Sequence, residues 1–249
     1  MKKKLIAFDL DGTLAPSKSP LPDRISELLT MLLDKFQVCI ISGGKYELFQ
    51  SQIIANLHAS DDKLEKLHLM PTSGTRYYSY KSGKWNLVYA ENLSQDQKDK
   101  IINALNDGLD RSGWRPNKTW GEIVEDRDSQ ITLSILGQEA PLEEKEAWDP
   151  TGKKKLKLRD IIAPNIPEFE ARAAGTTSID VTKPGIDKAY GMQKLMEYTG
   201  IKLEEILYFG DKLLEGGNDY PVKAMGIESV EVSDWESTAL AIESILQTS

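Results

Sequence analysis

The 249-residue chain carries 31 basic and 39 acidic side chains, for a net charge of −8. The length suits one large domain or two modest ones, and the acidic balance argues against nucleic acid, whose phosphates require a concentrated basic face. The single cysteine, Cys39, excludes an internal disulfide and favours a reducing compartment. No apolar run approaches the ~20 residues of a membrane span. We therefore expect a cytosolic protein that binds neither nucleic acid nor membrane.

The first third of the chain predicts alternating strands and helices. A continuous apolar run at 4–10 is typical of a strand buried on both faces of a parallel sheet. The further predicted elements are a helix at 22–36, a strand at 37–44, a helix at 46–57 and a strand at 67–74. This β-α-β-α-β succession indicates a wound α/β sheet.

The middle of the chain has a different pattern. Aromatic runs flank a Ser-Gly turn at 75–91, which predicts a hairpin. The elements that follow are a helix at 94–113, alternating strands within 121–138, a polar helix at 141–162 with a break at 149–152, and a strand at 176–182. The segment predicts an antiparallel sheet with helices on one side, inserted into the first domain.

The end of the chain returns to the first pattern. Its predicted elements are a helix at 187–200, a buried strand at 204–211, a strand at 228–233 and a final helix from 236. An α/β domain with a parallel sheet is thus interrupted by an α+β domain. We place the first domain at residues 1–80 and 184–249 and the inserted domain at 81–183.

Acidic side chains follow two of the predicted strands. Asp9 and Asp11 come after the first strand, Ser42 after the second, and Asp211 after the strand near the end. Because ligands collect at the carboxyl ends of parallel strands, these side chains predict an all-oxygen pocket suited to Mg²⁺. An Asp-x-Asp-Gly segment alone is equally typical of a turn, but Asp211 and Asp219 around a Gly-Gly turn favour the metal site. An EF-hand is excluded, since its third oxygen ligand and final glutamate are missing.

These motifs together resemble the haloacid dehalogenase (HAD) superfamily of phosphoryl-transfer enzymes. The matching segments are DLDGT, Ser42 in IISGG, Lys188 in GIDK, and GDKLLEGGND. The resemblance implies a Rossmann-like core, and the inserted domain is similar to a C2B-type cap (subclass IIB). The segments DGTLAP, EDRDSQITLSILGQ and SIDVTKPGIDK are similar to the eukaryotic-type phosphomannomutase branch, across nearly the whole chain.

The resemblance implies a role for each catalytic residue. Asp9 would be the nucleophile that becomes an aspartyl phosphate, and Asp11 would be the general acid and base. Ser42 and Lys188 would hold the phosphoryl oxygens. Lys183 competes with Lys188 for this role, but Lys188 begins a predicted helix, as the motif requires.

The metal site implied by the resemblance uses acids from both ends of the chain. Asp211 would bind Mg²⁺ together with a carboxylate oxygen of Asp9 and the backbone carbonyl of Asp11, and Asp219 would support these ligands.

The predicted cap departs from the phosphomannomutase pattern at cationic positions. The substrate-binding positions implied by the resemblance are Gly43, Arg127, Gly175, Ser178 and Asp180, and Gln138 stands among them where the branch has an arginine. Trp120 replaces a second arginine. Neither replacement supplies charge for a second phosphate group.

Two activities share this predicted chemistry. The missing arginines favour hydrolysis of a hexose phosphate, and the alternative is a phosphomannomutase that interconverts hexose 1-phosphate and 6-phosphate. A catalytically silent binding protein is disfavoured because Asp9, Asp11, Lys188 and Asp211 are all present. The partner is expected to be a small sugar phosphate, and dimerisation through the cap, as in relatives of this kind, is left open.

Overall fold

A computed structural model of the chain describes residues 2–248. It divides them into two compact units, one made of the residues up to Ala90 and from Ile186 onward, and the other of Glu91–Gly185. None of the helices in the described range has both the length and the apolar character that crossing a bilayer requires.

Strands and helices alternate through the chain. The strands are β1 (Leu5–Phe8), β2 (Gln37–Ile41), β3 (Leu67–Met70), β4 (Arg76–Lys81), β5 (Lys84–Ala90), β6 (Val124–Asp126), β7 (Ile131–Ser134), β8 (Glu170–Ala174), β9 (Ser178–Thr182), β10 (Ile206–Gly210) and β11 (Glu228–Glu231). The helices are α1 (Asp23–Lys35), α2 (Tyr46–Phe49), α3 (Asp61–Leu64), α4 (Gln95–Ser112), α5 (Leu142–Trp148), α6 (Lys153–Ile162), α7 (Lys188–Thr199), α8 (Tyr220–Ala224) and α9 (Trp235–Thr248).

The first unit is built on a seven-stranded sheet in the order β11-β10-β1-β2-β3-β4-β5. The five strands from β11 to β3 are parallel, and β4 and β5 extend one edge as an antiparallel hairpin. All four residues of the central strand β1 are buried, as expected for a strand covered on both faces. One apolar cluster includes residues of α1 and α9, and another includes residues of α7 and α8. This arrangement confirms the predicted α/β fold with a parallel core sheet.

A close backbone approach fixes the helix α7 against the turn that follows β3. A Cβ atom on Gly74, whose φ is +84°, would lie 2.3 Å from the Cα of Gly191 in α7. Only glycine fits such a contact. Because Lys188 is the first residue of α7, this contact also helps to fix the position of Lys188 relative to the sheet.

The second unit is an antiparallel sheet in the order β6-β7-β9-β8. Its apolar cluster combines alternate residues of β7 and β9 with residues of α4 and α6. Ser94 and Gln97 form a capping box at the start of α4. The break predicted in the polar helix lies between α5 and α6, where the buried Asp149 carboxylate accepts hydrogen bonds from the first turn of α6.

Three sequence expectations need correction. The sequence pattern places part of the hairpin β4–β5 in the inserted domain, but β4 pairs with β3 and the hairpin belongs to the first sheet. Tyr77 and Tyr78 on β4 are buried in the core of that unit, and this burial holds the hairpin there. The sequence pattern does not predict strand β8. The helix expected at 46–57 is four residues of α2 followed by a π-helical turn, Gln50–Ile54.

Candidate active site

A buried lysine joins two carboxylates beside the carboxyl end of β1. The ammonium Nζ of Lys188 lies 2.6 Å from Asp9 Oδ1 and 2.6 Å from Asp219 Oδ1. Asp9 follows the last residue of β1, while Lys188 begins α7 and Asp219 immediately precedes α8. All three side chains are almost fully buried. A buried charge needs partners, and these three groups supply them to one another.

Burial and charge pull the carboxyl pKa values in opposite directions. Burial raises the pKa of Asp9 to about 7, against the attraction of the Lys188 ammonium, and repulsion from Asp219 and Asp211 adds to the rise. Burial also raises the pKa of Asp219, but Lys188 and the hydrogen bonds to this carboxylate outweigh that effect and bring it below its ordinary value. Burial lowers the pKa of Lys188, yet its two carboxylate partners raise it overall. The lysine is therefore charged at neutral pH.

Asp219 is held by donors on both of its oxygens. Its Oδ1 accepts hydrogen bonds from Lys188 Nζ and from the hydroxyl of Tyr208, and its Oδ2 accepts one from the backbone N–H of Lys212. Tyr208 lies inside the apolar run of β10, and no sequence motif singles it out. The only signal in the sequence was a tyrosine in an otherwise apolar strand that leads to an acid.

Asp211 completes an acidic group suited to a divalent cation. One carboxylate oxygen from each of Asp9, Asp211 and Asp219 can be chosen so that all three lie within 4.8 Å of one another. The Oδ1 atom of Asp211 is buried and has no hydrogen-bond partner among the described residues. A Cβ on Gly12, whose φ is +84°, would lie 2.8 Å from Asp211 Oδ2, so glycine is required for the backbone to pass this close. An orphaned buried carboxylate oxygen beside two further carboxylates fits Mg²⁺.

Asp11 is less buried than Asp9 and is oriented by the loop that follows it. Its Oδ1 accepts a hydrogen bond from the backbone N–H of Lys18 at 2.8 Å and lies 3.5 Å from the side-chain amide nitrogen of Gln52. Gln52 is itself buried on the π-helical turn. The Asp11 carboxylate is not part of the acidic metal-binding group of residues 2–248, which leaves it available for proton transfer.

Ser42 and Gly43 follow β2, the strand parallel to β1. Ser42 is buried, and its hydroxyl oxygen accepts a hydrogen bond from the N–H of Gly44 at 3.2 Å. A Cβ on Gly43 would meet nothing within 4 Å. Backbone and hydroxyl groups at this strand end are suited to binding anionic oxygens. Lys183, the competing lysine, donates instead to the carbonyl of Asn92 within the second unit.

Of the predicted cap residues, Ser178 and Asp180 lie on β9 of the second sheet, and Arg127 directly follows β6. The guanidinium of Arg127 contacts Glu125 Oε2 through Nε at 2.8 Å and Nη2 at 2.7 Å. Asp180 Oδ1 accepts a hydrogen bond from the hydroxyl of Thr132 at 2.8 Å. Burial raises the pKa of Asp180, against the attraction of Arg127 and the hydrogen bond from Thr132.

The remaining predicted cap residues have other contacts within the second unit. The hydroxyls of Ser178 and Ser134 lie 2.8 Å apart on neighbouring strands, and the carbonyl of Gly175 accepts a hydrogen bond from Lys155. Gln138 is half-buried, and its backbone N–H donates to the carbonyl of Glu122 at 3.0 Å. Ser178 and Asp180 thus share the polar face of β9, two residues apart.

Comparison with known proteins places the chain in a family. The family described as haloacid dehalogenase-like hydrolase matches residues 6–221. Mouse phosphomannomutase 1 is 26% identical over 226 residues, covering 88% of this chain and 83% of its own, and the Schizosaccharomyces pombe phosphomannomutase is 27% identical over 88% and 85%. The solved structure of an N-terminally truncated Plasmodium falciparum IMP-nucleotidase covers 100% of this chain and 71% of its own, with a TM-score of 0.73 and 19% identity, and so shows the same fold.

Proposed function

Because the chain belongs to the haloacid dehalogenase-like hydrolase family, we propose that it is a Mg²⁺-dependent phosphatase that hydrolyses a hexose phosphate through an aspartyl phosphate on Asp9. The observation that carries the proposal is the buried contact of Asp9 with Lys188, beside the carboxylates of Asp211 and Asp219. This set supplies a nucleophile, a cation for the phosphoryl oxygens and a metal site within a few ångströms.

The first step is attack by Asp9 on the phosphorus atom. Asp9 Oδ1 accepts hydrogen bonds from Lys188 Nζ and from the N–H of Leu10, so Oδ2 is the oxygen proposed to form the bond. As the O–P bond forms, the bond from phosphorus to the sugar oxygen breaks, and Asp11 gives its proton to that oxygen. Lys188 and the Ser42 hydroxyl stabilise the charge on the transferring group.

The second step releases phosphate. Asp11, now a carboxylate, takes a proton from a water molecule that attacks the phosphorus of the aspartyl phosphate. The phosphorus–oxygen bond to Asp9 breaks, which restores the Asp9 carboxylate and the Asp11 proton. Asp9, Asp211 and the backbone carbonyl of Asp11 would hold Mg²⁺, with support from Asp219; when bound, it neutralises charge on the phosphoryl oxygens.

The second unit is proposed to bind the sugar. Two arginines occupy the polar face of its sheet, and each is paired with a glutamate two residues earlier on the chain: Arg127 with Glu125, and Arg172 with Glu170. Ser178 and Asp180 offer groups that bind hydroxyls, whereas Gln138 brings no charge. A surface of this kind suits an uncharged sugar better than a second phosphate.

A phosphomannomutase is the second candidate. It is favoured by the relatives that bear this name and match most of the chain at 24–27% identity. The two activities differ only in the acceptor of the phosphoryl group, which is water in one case and a hexose phosphate in the other.

Phosphorus NMR separates the two candidates. The wild-type protein is incubated with mannose 1-phosphate, Mg²⁺ and a trace of hexose 1,6-bisphosphate. Inorganic phosphate is the expected product, and accumulation of mannose 6-phosphate would replace the phosphatase proposal by the mutase. A Gln138→Arg variant is the matched probe, since the added charge is expected to raise the mutase fraction.

A variant of the nucleophile tests the shared chemistry. Asp9→Asn is expected to remove all Mg²⁺-dependent hydrolysis of p-nitrophenyl phosphate and the acid-labile phosphoenzyme that wild type forms. Full activity in this variant would exclude covalent catalysis by Asp9.

We further propose that the protein works in the cytosol and that it forms a homodimer through the unit Glu91–Gly185. Light scattering of variants in that unit tests the proposed dimer.

A further inference from the structure

A buried tyrosine hydroxyl contacts the lysine–aspartate group of the site. Tyr208, on β10, is 0% exposed, and its hydroxyl donates to Asp219 Oδ1 at 2.5 Å. The same oxygen atom lies 2.6 Å from Lys188 Nζ. Tyr208, Asp219, Lys188 and Asp9 therefore form one continuous chain of hydrogen bonds in the core of the first unit.

The ring of Tyr208 has space because its neighbours in the sheet are small. In the parallel register, Tyr208 is opposite Ala7 of β1, and Ala7 is opposite Cys39 of β2. The three residues share one apolar cluster. A phenylalanine ring would fill this space equally well, so packing does not explain the hydroxyl. A buried tyrosine hydroxyl is expected to have a polar partner, and here the partner is Asp219.

The hydrogen bond from the Tyr208 hydroxyl changes how strongly Asp219 attracts Lys188. Lys188 is shared between Asp9 and Asp219, and the negative charge on Asp219 Oδ1 is divided between Lys188 and the Tyr208 hydroxyl. The Lys212 N–H fixes the other oxygen of Asp219 at 3.1 Å. These three donors fix the Asp219 carboxylate in one orientation. Because the Tyr208 hydroxyl shares its charge, the carboxylate attracts the Lys188 ammonium less strongly.

We propose that Tyr208 is a positioning residue for phosphoryl transfer, whose hydroxyl holds Asp219 so that Lys188 is presented to the phosphoryl oxygens. The inference rests on the proposed function, in which Asp9 is the nucleophile. Without the Tyr208 hydroxyl, the Asp219 carboxylate attracts the Lys188 ammonium more strongly, and the ammonium interacts less with the phosphoryl oxygens. This loss of interaction is greatest in the transition state, where charge on the phosphoryl oxygens interacts most strongly with Lys188. The turnover number should therefore fall while KM stays nearly constant.

The test is Tyr208→Phe, which keeps the ring and removes one oxygen atom. With p-nitrophenyl phosphate and saturating Mg²⁺, kcat is expected to fall about tenfold, the size of one hydrogen bond to a charged group. Inhibition by orthovanadate, which mimics the five-coordinate phosphorus, should weaken by about the same factor. Inhibition by inorganic phosphate and the value of KM should change less than about twofold.

Two controls separate positioning from a general loss of stability. Tyr77→Phe also removes a buried tyrosine hydroxyl in the same sheet, one that contacts His68 Nδ1 at 2.7 Å, and it should leave kcat unchanged. In a double-mutant cycle, Tyr208→Phe should lose its effect in the Asp219→Asn background, because the hydroxyl acts through that carboxylate. If Tyr208→Phe does not fold, Tyr208→Met, which also fills the core without a hydroxyl, must show the same tenfold loss of kcat with unchanged KM.

Several results would overturn the inference. An unchanged kcat in Tyr208→Phe, equal weakening of vanadate and phosphate, or additive effects with Asp219→Asn would each exclude it. These outcomes differ from failure of the proposed function itself, which would appear as a wild-type protein whose phosphatase activity is absent or survives Asp9→Asn. In that case the positioning role of Tyr208 falls as well.

Discussion

Acidification should destabilise the first unit through His68, a buried histidine away from the site. Its Nδ1 lies 2.7 Å from the hydroxyl of Tyr77, and its Nε2 lies 2.7 Å from Oε1 of Gln37. Because the Gln37 oxygen can only accept, Nε2 carries a proton, and in the neutral ring Nδ1 accepts from the Tyr77 hydroxyl. Burial lowers the pKa of His68, so the folded protein has a neutral His68 at neutral pH, and this residue joins β2, β3 and β4.

The magnitude follows from the shift of the histidine pKa. Burial lowers the pKa of His68 from 6.5 to about 4. Below pH 6.5 the unfolded chain takes up a proton that the folded chain does not, so the free energy of unfolding falls as the pH falls. The slope is about 1.4 kcal/mol per pH unit, which gives a loss of about 2 kcal/mol at about pH 5. The raised pKa of Asp9 acts in the opposite direction, and the wild-type curve alone cannot separate the two effects.

A non-titrating variant isolates the histidine. The free energy of unfolding of wild type and of His68→Gln is measured by urea titration, with tryptophan fluorescence and without Mg²⁺, from about pH 7.5 to about pH 5. The contribution of Asp9 is common to both proteins and cancels in the difference. The stability advantage of wild type should shrink by about 2 kcal/mol over this range. A difference constant to within about 0.5 kcal/mol would show that folded His68 is protonated as easily as the unfolded one, and would refute the argument.

Three further substitutions test the site and its support. Asp211→Asn removes the charge of an orphaned buried oxygen, and the Mg²⁺ concentration for half-maximal activity should rise at least about tenfold. Gly191→Ala places a Cβ 2.8 Å from the carbonyl oxygen of Ser73; urea unfolding should show a loss of about 1–3 kcal/mol, and kcat should fall because α7 carries Lys188. Asp149→Ala uncaps α6 and should cost about 1 kcal/mol, with p-nitrophenyl phosphate hydrolysis unchanged.

Much of the fold could be predicted because its elements have strong local patterns. The apolar run of β1 and the helical spacing in α1 each determine an element without distant contacts. Strand β8 has the sequence EARAA, in which no residue is β-branched or aromatic, and it is a strand because it pairs with β9. The hairpin β4–β5 was recognised, but its sheet was not, since the partner of β4 is set by tertiary burial.

The sequence predicts those residues of the site that directly follow the strands of the parallel sheet. Asp9 and Asp211 follow adjacent parallel strands, so their proximity follows from the sheet order. Lys188 and Asp219 are 31 residues apart on different elements, and only their motifs suggested a shared site. The hydroxyl of Tyr208 could not be located from the sequence, because its direction depends on the side-chain conformation in a packed core.

The charges of the site connect substrate binding to the ionisation of the nucleophile. Of the three carboxylates, those of Asp9 and Asp219 share the buried Lys188, whereas Asp211 pairs with the exposed Lys212. Three carboxylates and one buried ammonium leave excess negative charge in the buried group whenever Asp9 is ionised. Burial of Asp9, with this excess charge, raises its pKa to about 7, and the same negative charge would repel a phosphate ester. A divalent cation on the orphaned oxygen of Asp211 would remove both obstacles, because it would favour the Asp9 carboxylate and attract the phosphoryl oxygens. Ester binding and nucleophile ionisation should therefore show the same dependence on Mg²⁺ concentration.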